Sequence, residues 1–323
     1  MIATLLILLA VGWIGSMAYV FNYRGQARYA SLKQYLRKSW PVFALPNTVL
    51  YLFTRPWARG PFVKPERFSN LDELACHWEI IRDEALAMQA RGGFEDPRTE
   101  GTPASFDLGF RTFYKYGWSR YYLSWYGYTY PSASADCPKT LEILSRFPDV
   151  TAAMFTVLPP RSRLSPHADP LACSLRYHLG LETPNSTRCF INVDGVEKSW
   201  QDGDAFVFDE TYLHFVTNDT DAPRLILMCD IRRPMSLPGR IFNKAYSLLA
   251  RTLQTPNDAR DQRGLVSALF ANLAPVLAAG RRIRERNRPL YNVLKWAVNL
   301  SLLCAVFGMV AAVVASVRWL LPA

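Results

Sequence analysis

The chain has 323 residues, half of them hydrophobic, and a net charge of +10 from 37 basic and 27 acidic side chains. That apolar content excludes an intrinsically disordered chain and suffices for a sizeable buried core. Its six cysteines (Cys76, Cys137, Cys173, Cys189, Cys229 and Cys304) form no CxxC pair, which argues against a zinc ribbon and fits free thiols in a reducing compartment.

In chain order, residues 1–22 read as an N-terminal transmembrane anchor. Ile2 to Phe21 carry no charge, a run long enough to cross a hydrocarbon core about 30 Å thick. Arg24, Arg28, Lys33, Arg37 and Lys38 follow at once, so the basic flank lies after the apolar run, opposite to a cleaved signal. An uncleaved anchor with its N-terminus outside and the rest cytoplasmic is expected. Residues 23–104 read as a basic juxtamembrane segment and helical lead-in. Within it, 40–56 is apolar but short and broken by proline, an interfacial segment or a buried helix. Leu74, Trp78, Ile81, Ala85 and Met88 recur at helical spacing over 71–90, ahead of Gly92-Gly93.

Residues 105–233 alternate short β-branched and aromatic runs with Pro, Gly, Asn and Asp turns. This predicts a mainly β architecture, a double-stranded β-helix or jelly roll flanked by helices, with Asp194-Gly195 turning a hairpin. The aromatic cluster Trp118, Tyr121, Tyr122, Trp125, Tyr126, Tyr128 and Tyr130 reads first as core, and second as the lining of an acyl groove. Residues 234–295 read as a basic helical juxtamembrane segment and 296–317 as a C-terminal transmembrane helix.

Charge follows this division. Residues 22–67 hold nine basic side chains against Glu66 alone, residues 68–231 fourteen against 23 acidic, and residues 232–295 thirteen against three. Basic stretches beside both expected spans suit anionic lipid and leave no case for nucleic acid.

The chemistry concentrates at His167-Ala-Asp169 and His214, two of the chain's four histidines being involved. Residues i and i+2 of an extended segment face one side. Two imidazoles and a carboxylate can occupy one face of an octahedral iron, leaving three positions open. An arginine follows each ligand segment: Arg176, with His178 two residues on, and Arg224, which a hairpin through Asn218–Asp221 is expected to bring back alongside His214. A guanidinium fork matches a carboxylate, so the pattern suits a dicarboxylate that chelates the metal.

The stretch from His167 to Leu181, Gly203-Asp-Ala-Phe-Val-Phe-Asp209 and His214 together resemble the aspartyl/asparaginyl β-hydroxylase family. Cys137-Pro-Lys-Thr140, Ala152–Pro160, Thr183-Pro-Asn-Ser186 and Pro256-Asn-Asp-Ala259 are most similar to its bacterial lipid A hydroxylases. The resemblance implies Fe(2+) on His167, Asp169 and His214, and 2-oxoglutarate held by Arg176, His178 and Arg224, with Thr156 and Trp118 as further contacts. O2 is the other co-substrate. No protein acid or base is assigned beyond the metal centre. Serine is usual where Thr156 stands, so the hydroxyl is kept.

The expected activity is 2-hydroxylation of a secondary acyl chain of lipid A, at the cytoplasmic face of the inner membrane of a Gram-negative bacterium. Hydroxylation of an ornithine lipid or of Asp/Asn in a peptide is the alternative. A non-catalytic jelly-roll membrane module is a third reading. Protein partners are not indicated.

Overall fold

Short runs rich in β-branched, aromatic and other apolar residues build most of the strands seen in the computed structural model, which describes residues 2–96, 98, 99, 102, 103, 107, 117–298 and 301. Three helices lead: α1 (Ile2–Asn22), α2 (Leu32–Lys38) and α3 (Ala44–Phe53). A short strand β1 (Phe62–Val63) and helix α4 (Trp78–Ala90) follow, then β2 (Ser119–Trp125), β3 (Tyr128–Thr129), α5 (Pro131–Asp136) and α6 (Pro138–Ser145). The next eight strands are β4 (Val150–Leu158), β5 (Ser162–His167), β6 (Ser174–Glu182), β7 (Cys189–Val193), β8 (Val196–Ser199), β9 (Ala205–Phe208), β10 (His214–Asn218) and β11 (Arg224–Arg232). Helices α7 (Leu237–Arg251), α8 (Leu265–Asn272) and α9 (Ala274–Arg286) end the named elements.

The strands form two antiparallel sheets, β1-β9-β6-β11-β4-β2-β3 and β5-β10-β7-β8. From β4 onward the chain passes repeatedly between them, so β4, β6, β9 and β11 share the larger sheet while β5, β7, β8 and β10 make the smaller. This is the winding of a double-stranded β-helix. The inward side chains of Ile191, Val193, Trp200, Phe206, Phe208, Val216 and Ile226 meet in one core. Asp194 (φ 55°) and Gly195 (φ 88°) close the β7–β8 hairpin with two left-handed residues, as the pair predicts.

Several elements differ from expectation. The 218–221 turn joins strands of opposite sheets, because β10 pairs with β5 and β7 whereas β11 pairs with β4 and β6. Arg224 is therefore carried onto the larger sheet rather than back along His214. Helices α5 and α6 interrupt the β region; each has proline in its first turn, where a missing N–H costs nothing. The 40–56 segment is a 3-10 turn followed by α3, and Leu71–His77 is 3-10 helix before α4 begins. The strand β1 pairs with β9, an extension of the larger sheet that its two residues do not announce. The aromatic cluster is mostly core: Tyr122 stacks on Tyr130, and Trp125 donates to the Ala250 carbonyl at 2.7 Å.

Contacts divide the chain into two units, 1–268 and 269–323. The second contains α9 and a further helical run over 288–298. Helix α1 has 21 residues and no charged side chain; its Ile2, Ala3 and Leu5 side chains are outside the description. Among the described residues no helix is long and apolar enough to cross a membrane. Of the expected C-terminal span, all but 296–298 and 301 lies outside the described residues.

Candidate metal centre

β5 and β10 run antiparallel in the smaller sheet with His167 directly opposite His214. That register brings the imidazoles to 4.2 Å between centroids. Asp169 follows β5 by two residues, and one ligand atom from each of His167, Asp169 and His214 lies within 4.8 Å of the others. The donor set fits a divalent iron-type ion, and the second ring nitrogens support the same reading. His167 Nδ1 lies 3.0 Å from the Ser165 carbonyl and His214 Nδ1 2.9 Å from the Tyr212 carbonyl. A carbonyl only accepts, so Nδ1 carries the proton and Nε2 offers its lone pair. Burial first, then His214, pushes His167 well below the usual histidine range and keeps it neutral.

The loop bearing Asp169 is pinned from outside the sheets. Ala168 N–H donates to the Lys38 carbonyl at 3.0 Å and Asp169 N–H to the Glu210 carbonyl at 2.8 Å. Asn47 of α3 donates to the Pro170 carbonyl and accepts from Ala172 N–H, both at 2.9 Å. Asn243 of α7 donates to the Cys173 carbonyl at 2.9 Å. The approach to His214 is held similarly: buried Asp209 accepts from Arg233 at 2.9 Å, from Thr211 and, at short range, from Tyr51. Burial opposes ionisation of Asp209, but Arg233 and Arg24 outweigh it and hold the carboxyl below its usual range.

Arg176 and His178 alternate on β6 and face inward, as predicted. Arg176 reaches Glu210 closely, Asp230 at 3.0 Å and Asp169 at 3.6 Å. Its charge is thus spread over three carboxylates, one of them a candidate metal ligand. His178 is buried and neutral; desolvation, then Arg224 and Arg176, lower its pKa well below the ordinary value. Its Nδ1 accepts from Trp200 Nε1 at 3.3 Å, while Nε2 has no partner among the described residues.

Arg224 has no carboxylate partner among the described residues. Its guanidinium lies between the rings of Trp118, 4.9 Å away, and Trp200, 4.4 Å away. Nη2 donates to Thr156 Oγ1 at 3.3 Å, whereas Nε and Nη1 have no hydrogen-bond partner. Burial lowers its pKa from 12.5 to about 10, and it remains cationic at neutral pH. Two cation–π contacts of the order of 1 kcal/mol each do not offset the loss of hydration of a buried cation. The site as built wants an anion. Thr156 and Trp118 both lie against Arg224. Trp200, Glu210 and Asp230 join the site unforeseen; of these only Trp200, an aromatic closing the polar Val196–Ser199 strand, left a sequence signal.

The profile described as Aspartyl/Asparaginyl beta-hydroxylase matches residues 75–234. An ornithine lipid ester-linked acyl 2-hydroxylase from Rhizobium tropici is 33% identical over 158 residues, covering 49% of this chain and 53% of that protein. A Homo sapiens aspartyl/asparaginyl beta-hydroxylase is 31% identical over 172 residues, covering 51% of this chain and 21% of that one. The chain thus matches about half the length of the first relative and about a fifth of the second. A solved prolyl-4-hydroxylase from Pseudomonas putida overlaps 57% of this chain and 99% of its own, at 15% identity and a TM-score of 0.37. By the profile match, residues 75–234 of this chain belong to the aspartyl/asparaginyl β-hydroxylase family.

Proposed function

We propose that the chain is an Fe(II)/2-oxoglutarate-dependent hydroxylase of a membrane lipid, acting on a fatty acyl chain, with a secondary acyl chain of lipid A as the substrate its sequence motifs favour. The observation that carries the co-substrate is Arg224, a buried cation that has no counter-charge among the described residues and lies in the same domain as His167, Asp169 and His214. A dicarboxylate satisfies both ends of that arrangement. Arg224 with the Thr156 hydroxyl would hold one carboxylate, and His167, Asp169 and His214 would hold the metal that the keto-acid end chelates.

When bound, iron and 2-oxoglutarate supply an oxidant able to hydroxylate an unactivated carbon. The chain's own residues do the rest. His167, Asp169 and His214 present three donors on one side and leave the other open. Trp118 and Trp200 enclose the Arg224 guanidinium and exclude water, which strengthens its hold on an anion. Among the described residues, His178 Nε2 is a further buried polar atom without a hydrogen-bond partner. Lipid is supported as substrate by the uncharged helix α1, by the basic stretches on either side of 68–231, and by the relative that acts on an ornithine lipid acyl chain. An inner-membrane position with the jelly roll on the cytoplasmic side follows from the basic flank after α1.

Mass spectrometry of total lipid from cells with and without the chain tests the proposal. One added oxygen on a lipid A acyl fragment, lost on His214→Ala, is expected. The same gain on an ornithine lipid would keep the chemistry and change the substrate. No gain on any lipid, with the protein expressed and metal-loaded, would overturn the lipid reading in favour of a peptide substrate.

A further inference from the structure

Helix α7 is built inside out. Leu237, Ile241 and Leu248 are 61%, 63% and 68% exposed, while Asn243 is only 7% exposed. A surface helix of a water-surrounded protein puts its apolar stripe inward; here Asn243, Gly239 and Ala250 face the protein. The inversion is explained locally, since Asn243 reaches in to the Cys173 carbonyl and leaves the aliphatic side chains outside. Helix α3 repeats the arrangement: Asn47 faces the metal-ligand loop and Leu52 is 70% exposed.

These outward faces are continuous. α3 contacts both α1 and α7. An apolar hollow of about 290 Å³ between the three helices is lined by Trp13, Leu45, Val49, Phe53, Pro238 and Phe242. Leu45 lies 3.7 Å from where a Cβ on Gly12 would stand. Gly12 is ten residues from Asn22, roughly 15 Å along a helix axis. Wherever α1 enters hydrocarbon up to Asn22, α3 enters beside it. A contiguous apolar surface of this kind marks a binding face.

The rim supplies the partner's charge. Arg28, Lys33, Arg37, Arg55, Arg59, and on α7 Arg240, Lys244 and Arg251, are all exposed, and α7 carries no acidic residue. Each such residue near an anionic surface contributes about 1 kcal/mol. We infer that the outward faces of α1, α3 and α7 form one docking surface for an anionic bilayer, with α3 and α7 lying in its interface and Asn47 and Asn243 fixing the metal-ligand loop to that surface. The lipid-hydroxylase reading gives this surface its purpose, but docking is measured without turnover.

The test uses the full chain, Cys304→Ser, in phosphatidylglycerol/phosphatidylethanolamine vesicles. An environment-sensitive fluorophore is placed through Leu52→Cys or Leu248→Cys in a Cys76→Ser background. Labelled native Cys76, exposed beside Asp72, Glu73 and Glu79, is the reference. Probes at 52 and 248 are expected to be quenched by nitroxide-labelled acyl chains and protected from aqueous iodide, with Cys76 the reverse. Replacing phosphatidylglycerol by phosphatidylcholine is expected to weaken the lipid quenching at 248. Iodide quenching at 52 and 248 in vesicles overturns the docking surface. So does shielding from both quenchers, which would mean that a second copy or residues 269–323 cover the face. Unchanged quenching without phosphatidylglycerol removes the requirement for anionic lipid. Docking without any lipid hydroxylation would leave this surface standing and sink the substrate reading instead.

Discussion

Arg176 and Arg224 lie on neighbouring strands of the larger sheet, both directed into the core, and differ in their company. Around Arg176 stand Asp169, Glu210 and Asp230; around Arg224 stand Trp118, Trp200 and one hydroxyl. The charge of Arg176 is balanced by carboxylates, whereas that of Arg224 is not balanced by any described residue. The sequence motif treats the two arginines as a pair of co-substrate anchors. Their surroundings separate the roles: Arg176 is suited to holding Asp169 and its neighbours in place, and Arg224 to receiving an anion from outside.

Removing each arginine should therefore have opposite consequences for the empty protein. Arg176→Met leaves Glu210 and Asp230 buried without their cation, and should lower stability by about 3–5 kcal/mol, read by thermal or chemical denaturation without ligand. Little change there would mean that the carboxylates are balanced elsewhere. Arg224→Met removes a buried charge that has no carboxylate partner among the described residues, so the ligand-free protein should be as stable as the parent or more so. Its cost should appear on adding 2-oxoglutarate. Losing one member of a buried charge pair costs about 2–5 kcal/mol, hence a dissociation constant raised at least about thirtyfold, measured by anaerobic titration. Undiminished affinity would move the anion site away from β11.

The smallest effect separates the surroundings of the two arginines by pH. Burial, opposed by Arg176 and reinforced by Glu210, raises Asp230 from 3.8 to about 6. The folded state therefore favours the protonated acid more than the unfolded chain does. Its contribution is present in full below about pH 4 and is lost as pH rises towards 6. Each pH unit in that window is worth about 1.4 kcal/mol, so the loss is at most about 3 kcal/mol. Asp230→Asn should flatten the stability profile between pH 4 and 6 without abolishing the slope, because Glu210 is shifted in the same direction. An unaltered slope would show that Asp230 keeps its charge throughout.

What could be read in advance follows physical range. The metal triad was legible because i, i+2 spacing fixes His167 and Asp169 to one side. The Asp194-Gly195 hairpin was legible because two left-handed residues admit few alternatives. The route to Arg224 was misread: Asn218–Asp221 has the composition of a hairpin turn, and only long-range pairing sends β11 to the other sheet. Glu210, in the turn between β9 and β10, and Asp230, on β11, stayed hidden because an acidic residue in a turn or strand usually faces solvent. Their shared contact with Arg176 accompanies inward hydrogen bonds from Ser174 to Glu210 and from Tyr126 to Asp230. Helix α7 has a strong amphipathic pattern, but periodicity alone does not say which face is covered.

The same hairpin turn has a mechanical consequence. Asp194 Oδ1 accepts the backbone N–H groups of Gln26 at 2.7 Å and Ala27 at 2.9 Å. Gly25 (φ +72°) fits so tightly beneath it that a Cβ would come within 2.2 Å of the same oxygen. The chain leaving α1 therefore has no slack; it is clipped four and five residues after Asn22 to the turn that ends β7, the strand beside His214. A domain joined to a helix by a loose linker samples a range of separations from it. Here the reach from α1 to the His214 strand is a built-in gauge rather than an average over linker conformations.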